Sequence, residues 1–220
     1  MRYSLVIFDC DGVLIDSEIL SAEATAHMLT DLGVPMTAER CMSLFLGMTQ
    51  ADMESTIERE FALRLAPDFA QRTTALLMQS YRDRLRAIDG VRELLERLPV
   101  PFCVASNSPP AKLGLGLSLT DLFESFYPHI YCSKLVERGK PAPDLFLYAA
   151  GQLGVAPAQT IVVEDSVAGV TAAKAAGMTA LGFTGGLHSG PASAERLRAA
   201  GADHIAETMD EVRVLLGLDD

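Results

Sequence analysis

The chain has 220 residues, 49% of them apolar and 21% charged, with 18 Lys and Arg against 29 Asp and Glu for a formal net charge of −11. This ordinary globular balance excludes disordered and collagen-like classes, and the length allows one large domain or two modest ones. An acidic surface repels a phosphate backbone, so nucleic acid is not an expected partner, and no apolar run reaches the roughly eighteen residues of a membrane span. Met1-Arg2 leads directly into a strand without a signal-peptide pattern, so the expected setting is the cytoplasm, as a monomer or weak homodimer. The four cysteines, Cys10, Cys41, Cys103 and Cys132, form no C-x-x-C pair, and are expected to pack as small apolar residues.

The first element is YSLVIFDCDGVLID, residues 3–16. Leu5, Val6, Ile7, Phe8 and Cys10 predict a strand buried on both faces. Asp9 and Asp11 follow two apart, which on an extended backbone places both carboxylates on one side, and Gly12 permits a sharp turn. Like charges so crowded need a cation between them or a proton on one of them, and a hard divalent ion with oxygen ligands, Mg²⁺ above all, answers that need.

The pattern then becomes helical. Leu20, Ala24, Met28 and Leu32 recur every four residues until Gly33-Val34-Pro35. Thr49 is an N-cap candidate for a segment carrying Met53, Ile57 and Phe61, and Pro67-Asp68 opens a third with Phe69, Leu77, Tyr81 and Leu85 on one stripe. Residues 16–86 thus read as a separate helical unit inserted after the first strand.

From Asp89-Gly90 onward, helices and strands alternate. The expected strands are Pro101–Ala105, a weaker one near His129–Cys132, Thr160–Val163 and Thr179–Phe183, and a last helix, strand and helix occupy Ala192–Leu216. Pro143 suits the first turn of a helix reading LFLYAAGQL, and Gly177 closes another over Ala168–Ala176. Such alternation predicts an α/β fold, a doubly wound parallel sheet with helices on both faces, built from residues 1–15 and 87–220. In these sheets ligands bind at the carboxyl ends of the strands.

Four strand ends carry or closely precede polar groups: Asp9 and Asp11; Ser106 and Asn107; Lys140; Glu164 and Asp165. Singly, each reads as a cap or a solvated loop side chain. Together they supply what phosphoryl transfer needs. A carboxylate can attack phosphorus, a metal and a lysine can neutralise the transferring group, Ser106 and Asn107 can donate to it, and a second carboxyl can protonate the leaving alcohol. Neither a dinucleotide-binding nor a P-loop glycine pattern follows a strand.

In order, DCDGVL at Asp9–Leu14, SNS at Ser106–Ser108, KPAPD at Lys140–Asp144 and VVEDS at Val162–Ser166 resemble the four motifs of the haloacid dehalogenase-like hydrolase superfamily. The helical insert resembles the α-helical cap of the branch that includes β-phosphoglucomutase and many small-molecule phosphatases. The resemblance implies that Asp9 is the nucleophile and Asp11 the general acid/base. It implies that Ser106 and Lys140 hold the phosphoryl group with Asn107 beside them, and that Gly12 lets a backbone amide approach it. Mg²⁺ would be bound by Asp9, the backbone carbonyl of Asp11 and Asp165, with Glu164 a ligand or just behind one. The founding dehalogenases lack the second Asp, so Asp11 argues against carbon–halogen cleavage, and phospho-aspartate signalling domains are shorter and have no cap.

The expected activity is therefore hydrolysis of a small phosphomonoester, a sugar phosphate by preference, through an aspartyl-phosphate. The alternative is a β-phosphoglucomutase-like phosphomutase. Those mutases place an arginine and a lysine on the cap loop and a histidine on the first cap helix, where this chain has Gln50, Leu46 and Ser21. Substrate choice is expected to rest on the loop Leu46-Gly47-Met48-Thr49-Gln50, with Gly47 and Gln50 as its binding residues, in a cap that hinges near Asp16 and near Arg86–Asp89.

Overall fold

The computed structural model describes residues 2–45, 48 and 50–218, which form two compact units. One comprises Met1–Asp16 with Arg86–Asp220, the other Ser17–Leu85. The first holds strands β1 (Leu5–Phe8), β2 (Phe102–Ser106), β3 (Ile130–Cys132), β4 (Thr160–Glu164), β5 (Thr179–Phe183) and β6 (His204–Ala206). They form one sheet in the order β3-β2-β1-β4-β5-β6, and each neighbouring pair is parallel. The strand order reverses about β1, whose neighbours are β2 on one side and β4 on the other, so the central strand ends where this architecture opens its binding crevice.

Side chains alternate between two buried faces, as a doubly covered parallel sheet requires. Leu5, Ile7, Cys103, Ala105, Val162 and Ala180 pack with Leu145, Phe146, Ala149, Val170, Ala173 and Leu197 in one core. The alternate set, Val6, Phe8, Val104, Ile161, Val163, Leu181 and Phe183, is equally inaccessible. On its side Phe126 stands edge-on to Phe8 and Phe102, with ring centroids 6.1 and 5.3 Å away. All four cysteines are buried and unpaired, as their spacing predicts.

The helical unit contains α1 (Glu18–Asp31), α2 (Ala38–Phe45), α3 (Gln50–Phe61) and α4 (Phe69–Arg84), around a core that includes Met28, Leu29, Phe45, Ile57 and Phe69. The short α2 escapes the four-residue spacing argument because only Cys41 and Phe45 of its eight residues are buried. Leu32, read above as part of the first apolar stripe, caps α1 and is 40% exposed. Thr49, Gly47 and Leu46 lie outside the described residues. Where the chain leaves and re-enters the α/β unit, Ile15 bridges Ala87 antiparallel, Asp16 N–H donates to the Arg86 carbonyl (3.0 Å) and Ile88 N–H to that of Leu14 (2.9 Å).

The remaining helices belong to the α/β unit: α5 (Val91–Arg97), α6 (Pro110–Leu119), α7 (Phe123–Phe126), α8 (Asp144–Gln152), α9 (Val167–Ala175), α10 (Ser193–Ala199) and α11 (Met209–Leu215). Pro143 stands at the N-cap of α8, one position before the first turn. Among the described residues no helix is long and apolar enough to cross a membrane.

Candidate active site

β1 ends at Phe8, so Asp9 lies just past the ladder, its N–H donating to the Val163 carbonyl of β4 (3.0 Å). Its side chain faces Lys140, whose Nζ is 2.9 Å from Asp9 Oδ1 and 2.5 Å from Glu164 Oε1. All three side chains are almost inaccessible. Burial pushes the Asp9 carboxyl up to about 7; Lys140 opposes that shift, while Glu164 and Asp11 add to it. Burial pushes the Lys140 ammonium down, but Asp9 and Glu164 outweigh it and hold it above its ordinary value.

Glu164 has both oxygens engaged. Oε1 meets Lys140, and Oε2 accepts from Ser166 N–H (3.1 Å) and Ser166 Oγ–H (2.9 Å). The carboxyl occupies the space beside Gly169, where a Cβ would fall 1.8 Å from the Glu164 carboxyl carbon. Ser166, not Glu164 or Asp165, caps α9, its Oγ accepting from Gly169 N–H (3.0 Å).

Asn107 holds Lys140 from behind. Its Nδ2 donates to the Lys140 carbonyl and its Oδ1 accepts from Lys140 N–H, both at 3.0 Å, so its amide positions the lysine's backbone. Ser106 Oγ accepts from Ser108 N–H (3.1 Å), which leaves the hydroxyl its own proton to give.

Asp11 departs from the simplest reading of the Asp-x-Asp spacing. The backbone bends at Cys10, and the Asp11 carboxylate lies between Lys112 Nζ (2.9 Å from Oδ1) and Ser108 Oγ (2.5 Å from Oδ2), both contributed by the segment after β2. The oxygens that could share a cation come instead from Asp9, Glu164 and Asp165, all within 4.8 Å of one another. Asp165 is pushed up by burial, with a hydrogen bond and charge from His188 opposing and Asp9 adding. Asp9 Oδ1 is buried without a well-aligned hydrogen bond despite the nearby ammonium. Crowded carboxylate oxygens, one poorly satisfied and two groups raised, fit a hard divalent cation. With Glu164 already doubly engaged, Asp9 and Asp165 are its freer donors.

Gly12 has φ +76°, and its own N–H is taken by the Ile15 carbonyl (2.9 Å). What the missing side chain secures is space, since a Cβ there would fall 2.1 Å from Asp165 Oδ2 and 2.8 Å from His188 Cε1. Gln50, at the start of α3, donates to Glu54 Oε1 (2.8 Å) within the helical unit. Gly47 lies outside the described residues.

Sequence reasoning passed over Ser108, Lys112, Gly169 and His188. His188 follows β5, the neighbour of β4, so the rule of reading strand ends extended to the fifth strand would have nominated it. Lys112 carries no local signal, because it matters only through Asp11, distant in sequence, and Gly169 matters only through the Glu164 carboxyl folded back over the start of α9.

Residues 6–183 match the family described as haloacid dehalogenase-like hydrolase. The 6-phosphogluconate phosphatase of Escherichia coli (strain K12) is 30% identical over 191 residues, covering 86% of each chain. A haloacid dehalogenase-like protein of unknown function from Agrobacterium tumefaciens superposes with a TM-score of 0.90 at 40% identity, over 98% of both chains. A hydrolase of the same family from Deinococcus radiodurans R1, solved with bound phosphate and sodium, gives 0.83 at 34% identity, over 99% of this chain and 97% of that one.

Proposed function

Because this chain belongs to the haloacid dehalogenase-like hydrolase family, we propose that it is a Mg²⁺-dependent phosphatase of a small phosphomonoester, a sugar phosphate, acting through an aspartyl-phosphate. The observation that carries the proposal is the set of Asp9, Glu164 and Asp165 at the carboxyl ends of the adjacent strands β1 and β4, with the buried Lys140, from the loop before α8, paired to Asp9 and Glu164. The name of the Escherichia coli relative supports a phosphorylated sugar acid or sugar as the substrate class.

In this reading Asp9 attacks phosphorus. The bond to the alcohol oxygen breaks, and Asp11 gives that oxygen its proton. Water then attacks the same phosphorus, Asp11 takes a proton from it, and Asp9 is released with inorganic phosphate. Mg²⁺ held by Asp9, the Asp11 carbonyl and Asp165 would supply positive charge to the phosphoryl oxygens. Lys140, kept charged by its two carboxylates, supplies a second positive charge at a fixed place, and Ser106 Oγ–H donates to the same group. Glu164 serves chiefly to aim Lys140. Asn107 does the same from the backbone side, and Ser108 with Lys112 hold Asp11 at the rim. The helical unit would act as the cap that selects the substrate.

A phosphomutase would need a positive grip on a second phosphate. Gln50 is neutral and engages Glu54, which favours hydrolysis. The test is phosphate release from a panel of sugar phosphates, led by 6-phosphogluconate, with Mg²⁺. Turnover should appear for at least one compound, vanish with chelator, and fall on the order of 10⁴-fold in Asp9→Asn. Failure on the whole panel, or near-normal turnover by Asp9→Asn, would overturn the reading. Conversion of β-glucose 1-phosphate to glucose 6-phosphate with a trace of the bisphosphate, faster than phosphate release, would establish the mutase instead.

A further inference from the structure

The loop after β5 reads TGGLHSG, residues 184–190, and brings His188 into the site. His188 Nε2 lies 2.9 Å from Asp165 Oδ2, and the imidazole is 3% exposed. A carboxylate oxygen has no proton to give, so Nε2 carries the proton of this contact and donates it.

The ring sits in a socket made for it. A Cβ at Gly12 would fall 2.8 Å from His188 Cε1, and one at Gly186 would fall 2.6 Å from both Cε1 and Nδ1. Neither position tolerates a side chain without displacing the imidazole. The loop is tied down beside it, as Leu187 N–H donates to Asp16 Oδ1 (3.2 Å) and Thr184 N–H to the Ala206 carbonyl (2.8 Å). Two stretches of chain, Gly12 to Asp16 after β1 and residues 184–188 after β5, thus converge to hold one ring against one carboxylate.

We propose that His188 is a positioning residue for the divalent cation: by donating to Asp165 Oδ2 it fixes that carboxylate's rotamer, so that the group is already oriented for the ion that Asp9 and Asp165 would hold. The inference rests on the proposed role of Asp165 as a metal ligand. A ligand oriented by an outer partner loses less freedom when the ion binds, and removing such partners commonly costs 10–100-fold in metal affinity. A ring that merely filled space would leave that affinity unchanged.

The probe is Mn²⁺ alone, with the free ion counted by its electron paramagnetic resonance signal in the absence of substrate. His188→Ala should bind Mn²⁺ about 10–100-fold more weakly than the wild type. His188→Gln, whose amide nitrogen can reach the Nε2 position, should return to within about threefold. Midpoints of thermal unfolding measured in chelator should be alike for both variants, which separates affinity from stability. If His188→Ala fails to fold, Gly186→Ala, which keeps the imidazole but displaces it, takes its place and should show the same weakening. Affinity within twofold of wild type in the histidine-displaced variant, or a Gln variant as weak as Ala, overturns the inference. Asp165→Ala separates the two layers. If it abolishes binding while His188→Ala leaves it intact, the metal site stands and the positioning role falls. If Asp165→Ala binds as the wild type does, both fall.

Discussion

Asp9 is a largely buried carboxylate, beside one ammonium and near three other acids. Its carboxyl is raised from 3.8 to about 7, burial being the largest cause, so the metal-free folded protein keeps a proton there that the unfolded chain has already released above about pH 4. The folded state then binds more protons than the unfolded one, and stability from this group falls as pH rises from about 4 toward 7. Denaturant titrations in chelator should show that decline, and Asp9→Asn should flatten it. A cation favours the charged carboxylate, so Mg²⁺ added at about pH 6 should expel protons, chiefly from Asp9, whose carboxyl is raised to about 7. Calorimetric titration in buffers of different ionisation enthalpy reads their number, and Mg²⁺ uptake without proton release would contradict the raised carboxyls.

The junction of β4 and α9 shows how one short segment serves both fold and site. Ser166 caps the helix through Gly169 N–H and at the same time donates to Glu164, which aims Lys140. Ser166→Ala should cost about 1 kcal/mol of unfolding free energy, the usual value of an N-cap, and impair turnover beyond what that loss explains. Gly169→Ala places a methyl inside the Glu164 carboxyl and should cost about 1–3 kcal/mol, as overpacking does. Urea unfolding of both variants measures the two costs. A Gly169→Ala protein as stable as the wild type would mean that Glu164 can move aside, and with it the anchor of Lys140.

The division into two units has a consequence for the whole molecule. The α/β unit contains all of Asp9, Asp11, Ser106, Lys140, Glu164 and Asp165, and the chain leaves and re-enters it at hydrogen-bonded neighbours, Asp16 and Arg86. Replacing residues 17–85 by a short Gly-Ser linker therefore imposes almost no closure strain. The shortened protein should fold cooperatively, as judged by circular dichroism and urea unfolding, and should still bind Mn²⁺. It should hydrolyse the full-length enzyme's best substrate poorly, because the segment proposed to select that substrate is gone. A shortened protein that is unfolded would show that the α/β core depends on the helical unit, which has a core of its own around Ile57 and Phe69.

The amino-acid sequence by itself determined the α/β class and the parallel sheet. Both follow from local facts: alternating apolar runs too short for helices, helical spacing between them, and Gly or Pro at the breaks. It also marked the strand ends at which polar residues gather, because a strand's direction and terminus are properties of a few consecutive residues. Only the tertiary structure decided which side chains those residues meet. That the Asp11 carboxylate lies with Lys112 and Ser108, outside the group of oxygens from Asp9, Glu164 and Asp165, follows from the bend at Cys10. That the Asn107 amide spends its bonds on the backbone of Lys140, and that the absent side chain of Gly12 leaves room for Asp165 and the ring of His188, are matters of residues far apart in sequence coming together. No periodicity encodes such meetings, since they arise from the order of strands in the sheet and the packing of the loops that leave them.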